Sequence, residues 1–515
     1  MKTDKIVIVG GGSAGWMTAS ALIKAYPEKE IVLIESKDVP IIGVGESTTF
    51  EINGFFNFLD LDYSSIMKYT NASYKVAIGF TNFKTKDSKT FYYPFGHPNL
   101  DKELTCFGLD DWYYKKAFYP ETEDQDYVRY FFPQAKSIET NKIVVDHIED
   151  MNPYQPHRDL ALQMDATKLG NWLAEFYAMP RGVKRIWGTV NKIYPSNSGI
   201  HSLVLDDGTE VTADLFVDCS GFNSILLGKF INEKFISTAE FLPNNRAWTA
   251  HVPYTNKEKE LQTFTNCTAI NNGWVWNIPL WNRIGSGYVY CNDFISDEDA
   301  LEEYKQYLDS DQMVVHDPER SKSLTFKNIK IHNGYYDRFW VGNVVAVGLA
   351  AGFLEPLEST GLLLTHQNCF TLVDALERGS VTQYDIDNFN YKTKTRIEKM
   401  FDFVGMHYAL SQRNDTEYWR SVTSKSYPKN YFKSNVEWAN NNVDTIKAGF
   451  GIRPFYKTYI SLLEKMSDAN NSDIKNKMEK YFQKRQEAKN VWDSIVDNSK
   501  THFHILKEKF YEEQG

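Results

Sequence analysis

The sequence predicts an α/β protein, α+β overall, and three observations support this class. An apolar strand, Lys5–Val9, runs into a glycine-rich turn and then an apolar helix, Trp16–Tyr26, and a second buried strand follows at Ile31–Ile34. Further strand-and-turn patterns run through Asp218, another buried strand follows at Trp340–Leu349, and a second sheet is predicted. From residue 385 to residue 515 the periodicity is mostly helical.

These patterns divide the chain into a core of residues 1–384 and a helical C-terminal region of residues 385–515. Within the core, residues 95–155 lack a clear period and are rich in aromatic and acidic side chains, which suggests an insertion that covers the core. The helix Gly361–Leu376 and the strands Tyr74–Phe80 and Trp340–Leu349 are also predicted.

Composition narrows the class of protein. The 515 residues suffice for about three domains, and 42% hydrophobic with 24% charged residues is typical of globular chains. A net charge of −10 argues against a nucleic-acid partner. The five cysteines are scattered without a CxxC pair, so we expect no metal site, no disulfide framework and a reducing, cytoplasmic setting.

No segment is typical of export or membrane insertion. The N-terminal residues lead directly into the first strand, which leaves no room for a signal peptide. The weakly polar stretch Val341–Leu354 is too short to cross a bilayer. We therefore expect a protein without a membrane partner.

The first turn carries a nucleotide-binding pattern. Gly10-x-Gly12-x-x-Gly15 lies between a strand and a helix, and Glu35 follows 20 residues after the last glycine, at the end of the second strand. This is the Rossmann-like context in which a pyrophosphate meets a helix N-terminus and an acid binds ribose hydroxyls. The candidate contacts in the turn are Gly10, Gly12, Ser13, Ala14 and Gly15.

The motif alone does not separate FAD from NAD. Late strand–turn segments at Val211–Gly221 and Asn343–Gly361 favour a flavoprotein. Because only one glycine fingerprint is convincing, a reduced flavin would have to come from a separate flavin reductase.

Five motifs, in the same order, carry a family resemblance. They are Gly10–Met17 (GGGSAGWM), Gly43–Thr48 (GVGEST), Tyr74–Phe80 (YKVAIGF), Gly273–Pro279 (GWVWNIP) and Gly348–Gly361 (GLAAGFLEPLESTG). On these motifs the sequence resembles the flavin-dependent halogenases of the tryptophan-halogenase family, across about the first 420 residues. The resemblance implies an FAD-binding domain of the flavin monooxygenase/halogenase type and places the C-terminal region on the substrate side.

The resemblance also implies the chemistry. FADH2 and O2 give a peroxyflavin that oxidises halide to hypohalous acid, which passes through a tunnel to a lysine, here Lys75. On a strand Tyr74–Phe80, Lys75 would share a face with the small residues Ala77 and Gly79. Its ammonium could donate a hydrogen bond to hypohalous acid, or its amine could become a haloamine. The alternative is an exposed lysine on a sheet edge.

Glu358 matches the second essential residue of the family, where a carboxylate stabilises the cationic intermediate of aromatic substitution and accepts its proton. Glu355 is interpreted as structural. Halide is expected at Ser359, Thr360 and Gly361, at a helix N-terminus, although a simple helix cap is the alternative.

Further contacts follow from the resemblance. Cofactor contacts are implied at Glu46, Ser47, Val190, Leu349 and Leu362. Trp274 and Trp276 are either ordinary core or, within the full signature, walls of the tunnel. For His97, His407 and Arg413 we expect structural roles.

Two alternatives remain. A single-component flavin hydroxylase usually carries aspartate where this chain has Leu349, and a non-catalytic flavin-binding redox sensor needs neither Lys75 nor Glu358. We expect the substrate to be a free electron-rich arene, such as an indole or a phenol, and a carrier-bound substrate is the alternative. The candidate pocket walls after residue 420 are Trp438, Phe450, Phe455, Tyr456 and Tyr459. A homodimer is expected only from the general frequency of dimers.

Overall fold

The computed structural model describes residues 1–37, 46–425, 440–451 and 471–512. The strands are β1 (Lys5–Val9), β2 (Glu30–Glu35), β3 (Glu46–Ser47), β4 (Ser73–Lys75), β5 (Ala77–Thr81), β6 (Phe91–Pro94), β7 (Ala161–Met164), β8 (Lys184–Trp187), β9 (Val190–Ser196), β10 (Gly199–Leu205), β11 (Glu210–Thr212), β12 (Leu215–Asp218), β13 (Phe235–Ser237), β14 (Arg246–Val252), β15 (Phe264–Ile270), β16 (Gly273–Pro279), β17 (Ile284–Tyr290), β18 (Lys327–Lys330), β19 (Gly334–Tyr336), β20 (Trp340–Val341), β21 (Val344–Ala346) and β22 (Gly352–Phe353). The helices are α1 (Ser13–Ala25), α2 (Ile52–Phe58), α3 (Tyr63–Tyr69), α4 (Asp111–Phe118), α5 (Asp126–Phe131), α6 (Ala135–Thr140), α7 (Pro156–Asp159), α8 (Ala166–Trp172), α9 (Lys257–Glu260), α10 (Asp297–Leu308), α11 (Thr360–Leu376), α12 (Gln383–Leu410), α13 (Glu417–Thr423), α14 (Asn440–Gly449), α15 (Asn471–Asp497) and α16 (His502–Leu506).

The first βαβ unit belongs to a six-stranded sheet in the order β20-β21-β12-β1-β2-β8. The central strand β1 runs parallel to both β2 and β12. Its apolar side chains are buried because helices cover both faces of such a sheet. The predicted βαβ unit is confirmed, with α1 beginning three residues earlier than expected, at Ser13 directly after the N-cap Gly12.

A seven-stranded sheet, ordered β18-β14-β17-β16-β15-β5-β6, forms the second predicted sheet. The prediction of one strand over residues 74–80 is wrong. β4 pairs with β7 in a small sheet ordered β3-β7-β4, whereas β5 pairs with β15 in the large one. Val76 makes the crossing, since its N–H donates to Thr263 O and its carbonyl accepts from Phe95 N. Lys75 therefore does not share a strand face with Ala77 and Gly79.

The predicted strand over residues 340–349 is also broken. β20 and β21 form a tight antiparallel pair around Gly342, whose φ of 58° lies in the left-handed region. A 3₁₀ turn at Gly348–Ala350 then leads towards α11. α11 begins at Thr360 and ends at Leu376, one residue longer than predicted.

The insertion at 95–155 contains three short helices, α4, α5 and α6, and is held by the C-terminal helix α15. The Arg485 guanidinium, only 1% exposed, donates to the carbonyls of Asn99, Leu104 and Tyr130. The Trp492 indole donates to Asp150 O. These bonds satisfy backbone groups that the insertion leaves unpaired.

α16 and the residues after it pack beneath β4. His502 accepts a hydrogen bond from Tyr74 N–H through Nε2, at 3.1 Å, and its Nδ1 lies 3.1 Å from Leu261 O. Burial lowers the pKa of His502 to about 4, so the ring stays neutral and keeps this tautomer. The C-terminal segment thereby fixes the residue that precedes Lys75.

After residue 385 the described secondary-structure elements are helices, as predicted. The division of the chain into two regions at residue 384 remains a prediction. Among the described residues no helix is both long and apolar enough to cross a bilayer. All five cysteines are free.

Candidate active site

Lys75 is the last residue of β4, where the chain crosses from the small sheet β3-β7-β4 to the seven-stranded sheet. Its relative exposure is 0%. Its Nζ donates to Thr48 O at 2.9 Å and to Ser359 Oγ at 2.8 Å, and it lies 4.9 Å from the centroid of the Phe95 ring. Two of its N–H bonds are thus directed by the protein. The remaining tetrahedral position holds a proton in the ammonium and a lone pair in the amine.

The burial of Lys75 changes its acidity. Removal from water lowers the pKa of Lys75 from 10.5 to about 7, although the negative potentials of Glu358, Cys267 and Glu51 oppose this shift. The lysine can therefore gain or lose a proton near neutral pH, as an exposed lysine does not. The alternative of an exposed lysine on a sheet edge is wrong.

Glu358 ends the 3₁₀ turn Pro356–Glu358 and is 2% exposed. The structure places it close enough to Lys75 for the two charges to interact. Ser359 connects the two groups, because it follows Glu358 in the chain and its hydroxyl accepts from Lys75. Its backbone is left-handed, with φ 58° and ψ 35°, a strained conformation for serine that is typical of functional sites.

His407 on α12 contacts Glu358, with His407 Nε2 and Glu358 Oε1 only 2.6 Å apart. Neither atom makes a hydrogen bond of normal geometry within the described residues. The ring is fully buried, and rings of Phe80, Phe403 and Phe450 surround it. The expectation of a merely structural role for His407 thus overlooked its contact with the candidate base.

The other residues interpreted as structural have ordinary surroundings. Glu355 accepts hydrogen bonds from Asn244 and Tyr408, and burial raises its pKa to about 7. Arg413 forms a bidentate ion pair with Asp415. His97 is exposed.

The N-terminus of α11 follows Glu358 directly. Ser359 occupies the N-cap position, but its side chain does not cap the helix and instead accepts from Lys75. The Thr360 hydroxyl is buried and has no partner among the described residues. Around Gly361 the space that a side chain would fill is open. The cap alternative therefore fails for Ser359, and a free N-terminus with an unpaired hydroxyl remains.

The glycine turn forms a narrow cradle at the start of α1. A Cβ on Gly10, whose φ is +119°, would collide with Cys219 O, whereas Gly12 faces open space. The side chain of Glu35 packs over the turn, and its Oε2 is buried without a hydrogen-bond partner in the described part of the chain. Burial raises the pKa of Glu35, and Arg185, 3.9 Å away, opposes the shift. An acid at this point with one oxygen not engaged in a hydrogen bond fits ribose hydroxyls.

The remaining turn residues have distinct surroundings. Ser13 donates its hydroxyl to Ala166 O, so its side chain is not free. The late segment at Gly348 packs closely against the glycine turn. A Cβ added to Gly348 would lie 2.5 Å from the Cβ of Ala14. Leu349 follows Gly348 directly, and Leu362 lies on the first turn of α11. The structure therefore brings the first glycine turn and the late segment together.

Three further candidates surround these segments. Val190 is the first residue of β9. The hydroxyl of the preceding residue, Thr189, forms a hydrogen bond with the hydroxyl of Ser36, which follows Glu35. Val190 therefore lies near the Glu35 end of the cradle. Ser47 on β3 bonds Thr265 at 2.6 Å. Burial raises the pKa of Glu46 to about 7, with a smaller effect of Asp165. Residues 43–45 of the same motif lie outside the described residues.

Trp274 and Trp276 point to one face of β16 and are 0% and 5% exposed. Their ring centroids lie 6.0 Å apart, and both indole N–H groups lack partners within the described ranges. Trp276 lies opposite Cys267, which lies opposite Phe80, the ring that contacts His407. The pair thus lies on the sheet face that carries the candidate centre.

Of the candidate pocket walls in the C-terminal region, only Phe450 lies among the described residues, where it contacts the Phe91 and His407 rings. Trp438, Phe455, Tyr456 and Tyr459 lie outside them. No group of His, Cys, Asp and Glu in the described ranges could hold a metal ion.

Comparison with known proteins relates this arrangement to a family. The sequence model of the family described as tryptophan halogenase matches residues 5–488. Tryptophan 6-halogenase SttH of Streptomyces toxytricini is 32% identical over 450 residues, which cover 82% of this chain and 82% of that protein.

Solved structures give the same result. The apo structure of VirX1 is 35% identical with a TM-score of 0.89 and covers 99% of both chains. Xcc4156, a flavin-dependent halogenase from Xanthomonas campestris, is 26% identical with a TM-score of 0.84, again over 99% of both chains.

Proposed function

The chain belongs to the tryptophan halogenase family of flavin-dependent enzymes that halogenate aromatic substrates, and we propose that Lys75 and Glu358 carry out the transfer of the halogen. The family uses FADH2, O2 and a halide. The proposal is supported by one observation: a fully buried lysine and a buried carboxylate lie close together, and Ser359, which follows Glu358 in the chain, accepts a hydrogen bond from the lysine.

The residues of the cradle suit FAD. Gly10, Gly12 and Gly15 allow close approach of a pyrophosphate to the N-terminus of α1, and the unpaired Oε2 of Glu35 can accept from ribose hydroxyls. Leu349, Leu362 and the β3 residues Glu46 and Ser47 would line the flavin end. When bound, reduced FAD supplies with O2 the oxidising equivalent that converts halide into hypohalous acid.

We place the halide at the N-terminus of α11. The free N–H groups after Ser359 and the unpaired Thr360 hydroxyl offer donors, and Gly361 leaves room for the ion. Trp274 and Trp276 then wall the path from this point to Lys75, and their unpaired indole N–H groups can donate to water or to hypohalous acid in transit.

Lys75 acts as a proton donor to hypohalous acid. Its ammonium uses two N–H groups on Thr48 O and Ser359 Oγ and aims the third at the oxygen of the acid. As the halogen bonds to the ring carbon, the O–X bond breaks and the oxygen leaves as water with the proton from Nζ. A pKa of about 7 suits a group that must donate and regain a proton near neutral pH.

Glu358 completes the substitution. Its carboxylate stabilises the positive charge of the arenium ion and takes the proton from the halogenated carbon, which restores the aromatic ring. Return of that proton to the Lys75 amine resets the site. The balance is one arene and one hypohalous acid consumed, with one haloarene and one water formed.

The rings near Lys75 favour a flat aromatic substrate. Phe50 and Phe95 lie 5.9 Å apart, Phe95 is 6.1 Å from Tyr93, and Tyr93 is 5.9 Å from Phe403, which contacts the His407 ring. Such a wall suits an electron-rich indole or phenol that binds as a free small molecule. We also propose a separate flavin reductase as partner and the reducing cytoplasm as the setting, in keeping with five free cysteines.

The test is a product screen by mass spectrometry. The protein receives FAD, an unrelated flavin reductase, NADH, O2 and each halide with a panel of indoles, phenols and pyrroles. We expect one regioselective haloarene that disappears in Lys75→Ala. A hydroxylated product would favour a hydroxylase instead, and reduced flavin bound without any turnover would favour a redox sensor.

A further inference from the structure

The imidazole of His407 and the carboxyl of Glu358 form a buried pair that is shielded from solvent. Their nearest atoms, Nε2 and Oε1, are 2.6 Å apart, and the two side chains are 0% and 2% exposed. The other ring nitrogen, Nδ1, lies 3.0 Å from Phe403 O. A carbonyl oxygen only accepts, so this contact requires a proton on Nδ1.

The number of protons in the pair follows from that tautomer. With Nδ1 protonated, Nε2 bears either a lone pair or the second proton of an imidazolium. Two lone pairs repel each other at 2.6 Å in a site without water, so one of the two groups must carry a proton, although the contact does not have the angle of a normal hydrogen bond.

We propose that His407 is a positioning residue that keeps Glu358 ionised and oriented as the base of the halogenation reaction, an inference that rests on the proposed role of Glu358. The imidazolium holds Oε1, which leaves Oε2 for the arenium ion. Without this partner a carboxyl in such a site would bind a proton and lose its capacity to accept one from the ring.

Other groups around the pair set its electrostatics. Glu355 also feels the charge of His407, and it is itself held by Asn244 and Tyr408. Lys75, Tyr93 and Cys267 feel the charge of Glu358. The rings of Phe80, Phe403 and Phe450 carry no charge and exclude water from the imidazole. Among these described neighbours, His407 is the group in direct contact with Glu358.

The experiment compares His407→Phe and His407→Gln with wild type, each loaded with FAD and coupled to a flavin reductase. Phenylalanine suits the aromatic surroundings but removes the proton, and the glutamine amide can still donate to Glu358 without a charge. Arene halogenation and hypohalous acid captured by a soluble trap are measured across pH. Exposed His201→Gln on β10 is the matched control.

We expect kcat for the arene to fall at least about tenfold in His407→Phe, with the arene KM and the total hypohalous acid little changed. The acidic limb of kcat should move to higher pH in both variants, because both lack the positive charge that the proposal assigns to His407, and His407→Gln should retain more of the rate. A merely structural histidine would lower flavin loading and thermal stability without moving that limb.

Glu358→Gln separates this inference from the function on which it rests. If Glu358→Gln halogenates the arene at the wild-type rate, the proposed base is wrong. If Glu358→Gln is inactive while both His407 variants keep the wild-type kcat and acidic limb, the role of Glu358 stands and the inference about His407 is overturned.

Discussion

Replacing Lys75 by methionine should stabilise the protein while it abolishes halogenation. Burial lowers the pKa of Lys75 from 10.5 to about 7, and at about 1.4 kcal/mol per pH unit the charged form costs about 5 kcal/mol of folding free energy. Methionine keeps an apolar stem of similar length and carries no charge. The loss of the hydrogen bond to Thr48 O leaves a buried carbonyl unpaired, which offsets about 1–3 kcal/mol.

The net gain is therefore about 2–4 kcal/mol below pH 7, where Lys75 is protonated in both the folded and the unfolded chain. Between pH 7 and pH 10.5 the unfolded chain binds more protons, so wild type gains stability as pH rises. By about pH 9 the cost of the lysine has fallen to about 2 kcal/mol and the advantage of the variant should nearly vanish.

Urea unfolding monitored by tryptophan fluorescence and circular dichroism, at about pH 6 and about pH 9, measures this difference. Exposed Lys68→Met is the matched control and should change stability little at either pH. A Lys75→Met variant less stable than wild type at about pH 6, or a gain independent of pH, would refute the argument that Lys75 is a desolvated cation.

Three further predictions concern the same centre. The kcat of wild type should decline as pH rises through about 7, because the ammonium of Lys75 donates the proton; a rate that rises with pH would favour a haloamine on the free amine instead. Thr360→Val should raise the halide KM several-fold and leave the FADH2 affinity unchanged, in halide titrations of product formation; an unaltered KM would place the halide elsewhere. Glu35→Gln should weaken FADH2 binding about tenfold in anaerobic fluorescence titrations, because a charged acceptor for ribose hydroxyls is lost; unchanged binding would contradict the ribose contact.

Local patterns were sufficient to predict the first βαβ unit, the start of α11 and the residues of the glycine turn. Each depends on side chains within a few residues of each other, as in β1, where every residue after Lys5 is apolar and buried. The helix α15 was likewise predictable, since its buried residues Met478, Arg485, Trp492 and Val496 fall on one face.

Features that depend on distant partners were not predictable. The strand predicted over residues 74–80 is interrupted at Val76, because the backbone of Val76 forms hydrogen bonds with Thr263 and Phe95. The alternation of residues within 74–80 contains no information about these distant partners. The pairing of Glu358 with His407 joins a turn and a long helix through tertiary packing. Buried polar clusters of this kind have no fixed sequence spacing, so single-sequence analysis finds the residue types but not the contact.

Lys75 is proposed to deliver the halogen that the flavin site activates, and Lys75→Ala tests this role most directly. The variant and wild type are supplied with reduced FAD, O2, halide and the arene found in the screen, together with a soluble trap for hypohalous acid. We predict that arene halogenation in Lys75→Ala falls at least about a hundredfold while trapped hypohalous acid equals or exceeds that of wild type. A regioselective haloarene formed by Lys75→Ala at the wild-type rate would contradict the account.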